Sequence, residues 1–244
     1  MEKIKKKIKP VFIKTKNVNK FVSMMNGLKL SEGEGRMAVA SGTAGRGKTR
    51  TAIWYQAKHP CIFLRALNIW KRSDIPFLQA LCREYGILNA PYRRDRCFMM
   101  LLDVLLTSEK APKIIIIDEI EKLPFDYVET LRDLADMTGV CIVMIGEDEL
   151  VSHMQRSKRV WSRVFQTVKF QPIESADIIV YAREAAGLAF TPEIAAMFRK
   201  ASEGDFRIVK RDLFNLIQNV NAASAEKITP EMVKIAINTG LSGR

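Results

Sequence analysis

The chain has 244 residues, of which 48% are apolar and 27% charged, enough for one large globular domain or for one domain with a small companion. Lysine and arginine outnumber aspartate and glutamate by 39 to 27, and the net charge of +12 favours a polyanionic partner, most often nucleic acid. The four cysteines form no CxxC pair and only two histidines are present, so the usual cysteine and histidine spacings of a zinc site are absent from the sequence. The apolar runs are no longer than strands, so no membrane partner is expected.

The N-terminus is the most basic part of the sequence. Residues 1–20 hold eight lysines against one acid, Glu2. We expect residues 1–14 to form a basic, flexible tail. Such a tail can still bind DNA, because counterion release depends on charge rather than on shape.

Short apolar runs alternate with helical segments through the first 170 residues. The predicted strands, in chain order, are 37–41, 61–66, 113–117, 140–145 and 164–170. The predicted helices are 48–58, 74–88, 92–108, 124–137 and 148–155. Continuous apolar strands that alternate with helices are typical of a parallel sheet covered on both faces. The sequence therefore predicts an α/β fold with a parallel five-stranded sheet flanked by helices.

The pattern changes after Pro172, beyond which only helical periodicity remains. Glycine and proline positions such as Gly187, Gly204 and Pro230 interrupt it. We therefore expect an α/β domain over residues 15–172 and a small all-helical domain over residues 173–244.

The first candidate site is the loop after the first predicted strand. Residues 42–49 fit the Walker A pattern G-x-x-x-x-G-K-[ST] in full. Glycines let successive backbone N–H groups point at phosphate oxygens, and the following helix N-terminus adds partial positive charge. Lys48 would reach the β- and γ-phosphates of ATP, and the Thr49 hydroxyl would ligate Mg²⁺. The alternative is a chance match, which the position between a strand and a helix argues against. The expected nucleotide-binding residues are Gly42, Thr43, Ala44, Gly45, Arg46, Gly47, Lys48, Thr49 and Arg50.

A second candidate site lies where the third predicted strand ends. Asp118 and Glu119 follow four isoleucines, which fits the Walker B pattern. Ligands bind at the carboxyl ends of parallel strands, so Asp118 would hold Mg²⁺ directly or through water. Glu119 would orient and polarise the attacking water, which favours ATP hydrolysis over transfer to a small molecule. The alternative, a strand that ends in acids by chance, is weakened by the Walker A loop upstream.

The order of these features resembles the AAA+ superfamily. Walker A, Walker B, a strand near residues 140–146, an arginine-rich segment and a C-terminal helical domain follow one another. Gly204-Asp205-Phe206-Arg207 is similar to the superfamily's G-x-x-R motif, called sensor 2. The resemblance implies that residues 173–244 form a lid and that Arg207 contacts the γ-phosphate. The alternative for Arg207 is ordinary surface charge.

Within the superfamily the chain looks most like the transposition ATPases of the phage Mu B type, whose relatives include TnsC and the IstB-like proteins. The likeness runs from about Thr15 to the end and rests on layout, compact lid and basic charge. It implies a cytoplasmic protein of a bacterial or phage-infected bacterial cell. Such a protein assembles with itself on duplex DNA when ATP is bound, as a helical filament or a ring. It presents that DNA as target to a transposase, and ATP hydrolysis then dissolves the assembly.

The resemblance also implies that an arginine of one subunit completes the ATP site of its neighbour. Arg163, and after it Arg159, stand before the fifth strand, where this arginine finger belongs. The alternative is surface charge on the basic run 156–163. One departure concerns sensor 1, a small polar residue that usually follows the fourth strand. Here Gly146 is followed by Glu147, which is the candidate substitute, and hydrolysis is expected to be slow if it does not serve.

Two basic clusters between the second and third strands are candidates for phosphate contacts. They are Lys71 with Arg72, and Arg93 with Arg94. The alternative for each is a solvated helix face. No base-reading motif is present, so we expect binding with little sequence preference and steep salt dependence.

Two rival functions stay open. The chain could be a helicase loader that binds single-stranded DNA, or a small-molecule phosphotransferase. The Arg207 motif and the net charge argue against the phosphotransferase.

Overall fold

The protein is described by a computed structural model that covers residues 7–31, 35–223, 225 and 227–241. Its strands are β1 (Met37–Ser41), β2 (Ile62–Arg65), β3 (Ile114–Asp118), β4 (Cys141–Ile145) and β5 (Val164–Lys169). They form one sheet in the order β2-β3-β4-β1-β5, and every neighbouring pair is parallel. The expected parallel five-stranded sheet is therefore confirmed.

Helices precede, separate and follow the strands. Those of the sheet-containing part are α1 (Lys16–Leu30), α2 (Lys48–Gln56), α3 (Ile75–Glu84), α4 (Arg94–Thr107), α5 (Phe125–Thr138), α6 (Leu150–Gln155) and α7 (Lys158–Trp161). Two 3-10 turns, Asn68–Arg72 and Ile120–Lys122, follow β2 and β3. The C-terminal helices are α8 (Ser175–Ala186), α9 (Pro192–Ser202), α10 (Phe206–Ala222) and α11 (Pro230–Leu241).

The apolar strands serve two cores, one on each face of the sheet. Ile115 and Ile117 enter a cluster built with α3, α4 and α5. Ile114 and Ile116 enter a second cluster built with α1 and α2. Successive side chains of a strand point to opposite faces, so a strand covered on both sides must be apolar throughout. This explains why the run of four isoleucines is fully buried.

Helix α1 was not predicted from the sequence. Its buried side chains include Val18, Phe21, Met25 and Leu28, which recur every three or four residues. Lysine and asparagine fill much of the remaining positions and obscure this spacing. The Phe21 ring meets the Tyr55 ring of α2 edge-on at 5.9 Å, so α1 covers one face of the sheet together with α2.

The C-terminal helices form a separate unit with its own core. Of the described residues, this unit comprises 7–16, 44–47 and those from 171 onward, and the sheet-containing unit comprises 17–31, 35–43 and 48–170. The part of the expected flexible tail that the structure describes packs in this core: Ile13 is buried, and Lys9 N donates to Ala185 O over 2.8 Å. Apolar side chains alternate with the lysines there, which is why residues 7–14 do not form a free tail. Residues 1–6 lie outside the described part.

The strand register brings the carboxyl ends of three strands to one edge. Asp118, the last residue of β3, stands opposite Arg65 of β2 and Ile145 of β4. Gly146, just after β4, donates its N–H to Ala40 O of β1 over 3.1 Å. The Walker A loop leaves β1 two residues later, so the two predicted motifs start from neighbouring points of the same edge.

Candidate active site

The Walker A loop connects β1 with α2, as its spacing predicted. Gly42 has φ +149, and a Cβ there would lie 2.8 Å from Phe170 O, so only glycine fits. The Lys48 ammonium donates to Gly42 O and, over 3.0 Å, to Thr43 O. Burial lowers the pKa of Lys48, and the charges of Glu147, Glu121, Asp118 and Asp148 oppose that shift. The lysine is thus held inside the loop by carbonyl oxygens and faces several carboxylates.

The tip of the loop, residues 44–47, belongs to the same compact unit as the C-terminal helices. Phe206 N donates to Gly45 O over 3.0 Å, and Arg46 Nη1 donates to Glu203 O over 2.6 Å. The Asp205 carboxylate occupies the volume that a side chain at Gly45 would need. Arg46 therefore binds a backbone carbonyl that follows α9, a structural role that the sequence pattern did not indicate.

The two residues predicted to hold a metal are in contact. Thr49 Oγ1 donates to Asp118 Oδ2 over 2.7 Å, and Asp118 is only 1% exposed. Burial raises the pKa of Asp118, whereas the Thr49 hydroxyl and the Arg65 charge lower it. A hydroxyl and a carboxylate are hard oxygen donors of the kind that Mg²⁺ prefers. The donor set therefore fits magnesium.

Glu119 adopts an unusual backbone conformation and has two cationic partners. Its φ is 57, in the left-handed region. Arg65 Nη2 lies 2.6 Å from Oε1, and Lys122 Nζ pairs with Oε2. Burial alone would raise the pKa of Glu119, but hydrogen bonds from Lys122 and Arg65 outweigh it and lower the pKa. Glu119 is therefore an ionised carboxylate whose two oxygens are both engaged.

The acids after β4 differ from the sequence expectation. Glu147, the candidate for sensor 1, is exposed, whereas Asp148 contacts the phosphate loop. Thr43 Oγ1 donates to Asp148 Oδ2 over 2.6 Å, and Lys169 Nζ pairs with Oδ1 at 2.9 Å. These two partners lower the pKa of Asp148. Sequence reasoning overlooked Asp148, although its place just past the carboxyl end of β4 was a usable signal.

The two arginine-finger candidates have different surroundings. Arg163 Nε lies 2.9 Å from Asp136 Oδ1, so its guanidinium is engaged within the same chain. Arg159 is exposed on α7, and its side chain has no ion pair within the described part of the chain. Arg207 is also exposed, in the first turn of α10, where Asp205 caps its backbone N–H over 2.7 Å. Arg50 is exposed on α2.

The two basic clusters also differ. Lys71 and Arg72 are exposed, and the described residues provide no acid that pairs with them. Trp70 fixes their turn: its buried ring lies 5.7 Å from the Phe77 ring. The Trp70 backbone carbonyl also accepts a hydrogen bond from the Tyr127 hydroxyl.

Arg93 and Arg94, by contrast, have acidic partners in the same chain. Arg93 pairs with Asp95 at 2.8 Å, and Arg94 pairs with Asp74 at 2.7 Å. Arg94 Nη2 also donates to Thr130 Oγ1 over 3.0 Å. Arg94 therefore links the starts of α3 and α4 to α5, a structural task that Lys71 and Arg72 do not have.

Comparisons with known proteins agree with this geometry. Residues 31–154 match the family described as "AAA domain". The chain is 26% identical over 182 residues to the Mu-like prophage FluMu DNA transposition protein B of Haemophilus influenzae, covering 71% of this chain and 62% of that protein. It is 26% identical over 175 residues to the ATP-dependent target DNA activator B of Escherichia phage Mu, covering 69% and 54% respectively. The chain thus spans less than two thirds of each of these relatives.

Solved structures share the fold. Cdc6p from Pyrobaculum aerophilum superposes with a TM-score of 0.69 at 18% identity, over 93% of this chain and 69% of that one. The Orc1 protein of Aeropyrum pernix in complex with DNA gives 0.61 at 16% identity, over 93% and 66%. Within the residues that the structure describes, no helix has the length and apolar character needed to cross a bilayer.

Proposed function

Because the chain belongs to the AAA domain family, we propose that it binds and hydrolyses ATP and uses this cycle to assemble on duplex DNA in transposition. In this role it selects target DNA and activates a transposase, in the cytoplasm of a bacterial or phage-infected cell. The observation that carries the proposal is the contact of Thr49 with Asp118 at 2.7 Å, in a chain similar to an ATP-dependent target DNA activator.

The residues of the site divide the work of ATP hydrolysis among them. The Walker A backbone and Lys48 bind the phosphates, with the lysine turning from loop carbonyls to phosphate oxygens. Thr49 and Asp118 would hold Mg²⁺, which would neutralise charge on the phosphates. Glu119 orients the attacking water once one of its cationic partners moves away. Arg207, in the proposed lid, is the residue that the family resemblance assigns to the γ-phosphate.

Duplex DNA would lie against the exposed turn that carries Lys71 and Arg72. Both side chains are exposed and have no acidic partner among the described residues, so they can neutralise backbone phosphates. Arg93 and Arg94 contribute less, because acids of the same chain already neutralise them. Binding of this kind is largely independent of base sequence.

The assembled form, a filament or a ring, would place an arginine of one subunit against the ATP of the next. Arg159 and Arg163 are the candidates, and the exposed Arg159 is the better placed for a partner in trans, because Arg163 pairs with Asp136. An arginine in this position neutralises the charge that develops on the phosphates during transfer.

A helicase-loader function in DNA replication is the alternative. The fold similarity to Cdc6p and Orc1 is compatible with it, although at 18% and 16% identity this likeness concerns the fold alone. The kind of DNA bound separates the two functions, since a loader would grip single strands and a target-selection factor would assemble on duplex.

Electron microscopy with duplex DNA tests the proposal. We expect ordered assemblies with ATP or a non-hydrolysable analogue, and their loss with ADP. Glu119→Gln should preserve the assemblies in ATP because binding is retained while turnover stops. ATP-dependent binding to single strands alone, measured by fluorescence anisotropy with both kinds of DNA, would instead support the loader.

A further inference from the structure

β4 is followed by a glycine at the place where the family resemblance calls for a small polar side chain. Gly146 N donates to Ala40 O of β1, and the preceding Ile145 stands opposite Asp118 of β3. Gly146 thus lies between β1, which leads into the Walker A loop, and β3, which ends in Asp118. A polar group at this point would lie near the loop and the aspartate that we propose to bind the nucleotide and its magnesium ion.

Glu121 occupies the volume that a side chain of residue 146 would fill. A Cβ on Gly146 would collide with Glu121 Oε2 and would lie 3.3 Å from its Cδ. Leu150 Cδ2 closes the other side, 2.8 Å from the same Cβ. A carboxylate from the turn after β3 therefore stands where β4 offers no side chain.

The 3-10 turn Ile120–Lys122 directs Glu121 to this place. Glu119 enters the turn with φ 57, and Ile120 is 1% exposed, which fixes the turn in the core. Lys122 N donates to Glu119 O and Leu123 N to Ile120 O, each over 3.0 Å. The two glutamates consequently have different surroundings: Glu119 pairs with cations, and Glu121 lies against Gly146.

The charge environment agrees with a place near the phosphates. The carboxylates of Glu147 and Glu121 both interact electrostatically with the Lys48 ammonium. The surrounding protein partly desolvates Glu121 and raises its pKa, and the charge of Glu147 adds to this. Glu121 is nevertheless exposed, so its carboxylate is not sealed within the protein interior.

We propose that Glu121 is a positioning residue for ATP hydrolysis, whose carboxyl group supplies the polar function that Gly146 cannot provide. This inference rests on the proposed ATPase function. Its role needs a hydrogen-bonding group at this point rather than a particular charge. An amide should therefore serve nearly as well as the carboxyl group, whereas an apolar side chain of similar volume should not.

Steady-state ATP hydrolysis and equilibrium binding of a fluorescent ATP analogue test this on the full chain. We expect Glu121→Leu and Glu121→Ala to lower kcat by about tenfold, the loss of one hydrogen bond near charged groups, with nucleotide affinity changed less than about threefold. Glu121→Gln should keep kcat within about threefold of the parent, since its amide still hydrogen-bonds. Glu149→Ala, an exposed acid near by, is the control and should change nothing.

A rescue experiment makes the assignment specific. Gly146→Ser in the Glu121→Ala background places a hydroxyl in the volume that the glutamate has left, and we expect it to recover part of kcat. Equal kcat for Glu121→Leu and the parent, or equal loss in Glu121→Leu and Glu121→Gln, would overturn the inference. An inactive parent chain would instead count against the proposed ATPase function, so the two failures are distinguishable.

Discussion

Arg65 Nη2 lies 2.6 Å from Glu119 Oε1, and this ion pair joins the end of β2 to the acid that we expect to orient the attacking water. Lys122 holds the other carboxylate oxygen. A carboxylate with both oxygens bound to cations is a poor acceptor for a water proton. The turn Asn68–Arg72, which carries Lys71 and Arg72, begins three residues after Arg65. The ion pair therefore lies close in sequence to the proposed DNA contact.

Arg65→Ala should raise ATP turnover in the absence of DNA. Arg65 is half exposed, and ion pairs of this kind contribute about 1 kcal/mol or less, so the rise should be no more than about fivefold. Stimulation by duplex DNA should shrink by a similar factor, because the substitution has already freed Glu119 from Arg65. Phosphate release with and without DNA measures both quantities. Arg83→Ala, an exposed arginine on α3, is the control, and a fall in DNA-free turnover would show that Arg65 assists Glu119 rather than restrains it.

Lys48→Ala should weaken ATP binding by about 10- to 100-fold, the range expected when hydrogen bonds from a charged group to phosphate are lost. The lysine is the first residue of α2 and is held within the loop by Thr43 O at 3.0 Å. Isothermal titration calorimetry gives the affinity directly. Lys58→Ala, just beyond the same helix, removes the same charge away from the loop and should leave the affinity unchanged. Near-parental affinity in Lys48→Ala would refute the assignment of this lysine to the phosphates.

Local patterns allowed much of the fold to be predicted. The strand Ile114–Asp118 was predictable because a strand covered on both faces must be continuously apolar. The acids at its end could be assigned to the site because ligands bind at the carboxyl ends of parallel strands. Helix α1 escaped prediction because lysines and asparagines separate its apolar residues. The same holds for residues 7–14, whose lysines suggested a tail while Ile13 packs in the C-terminal core.

The finer geometry of the site was beyond prediction from sequence spacing. Arg65 reaches Glu119 only because β2 and β3 are neighbours in register, and a linear sequence does not specify that pairing. Glu121 reaches Gly146 because β4 lies beside β3. Contacts between residues distant in sequence depend on strand order and register, whereas motifs such as Walker A depend on local geometry.

The two basic clusters should differ in their effect on DNA binding. Lys71→Ala combined with Arg72→Ala should weaken duplex binding and reduce the slope of log K against log salt by about 2, since each phosphate contact contributes about 0.9. Arg93→Ala should have a smaller effect, because Asp95 already neutralises that guanidinium at 2.8 Å. Anisotropy titrations at several salt concentrations measure both slopes. An unchanged slope in the double variant would place the DNA contact elsewhere.

Arg159 is the candidate for the arginine that acts in trans, and mixed assemblies can test it. Arg159→Ala should bind ATP normally yet lose about 1000-fold of its assembly-dependent turnover, the lower end of what such an arginine contributes. Arg163→Ala should chiefly lower the melting temperature, because its guanidinium pairs with Asp136 in the same chain.

Mixing Arg159→Ala with Lys48→Ala provides the decisive measurement. The first variant keeps an intact ATP site and the second keeps an intact arginine, so a neighbouring pair contains one complete site. We expect the mixture on duplex DNA to recover turnover that neither variant has alone. If only a mixture of Arg163→Ala with Lys48→Ala recovers it, the ion pair with Asp136 must open on assembly and Arg163 is the residue that acts on the neighbour's ATP.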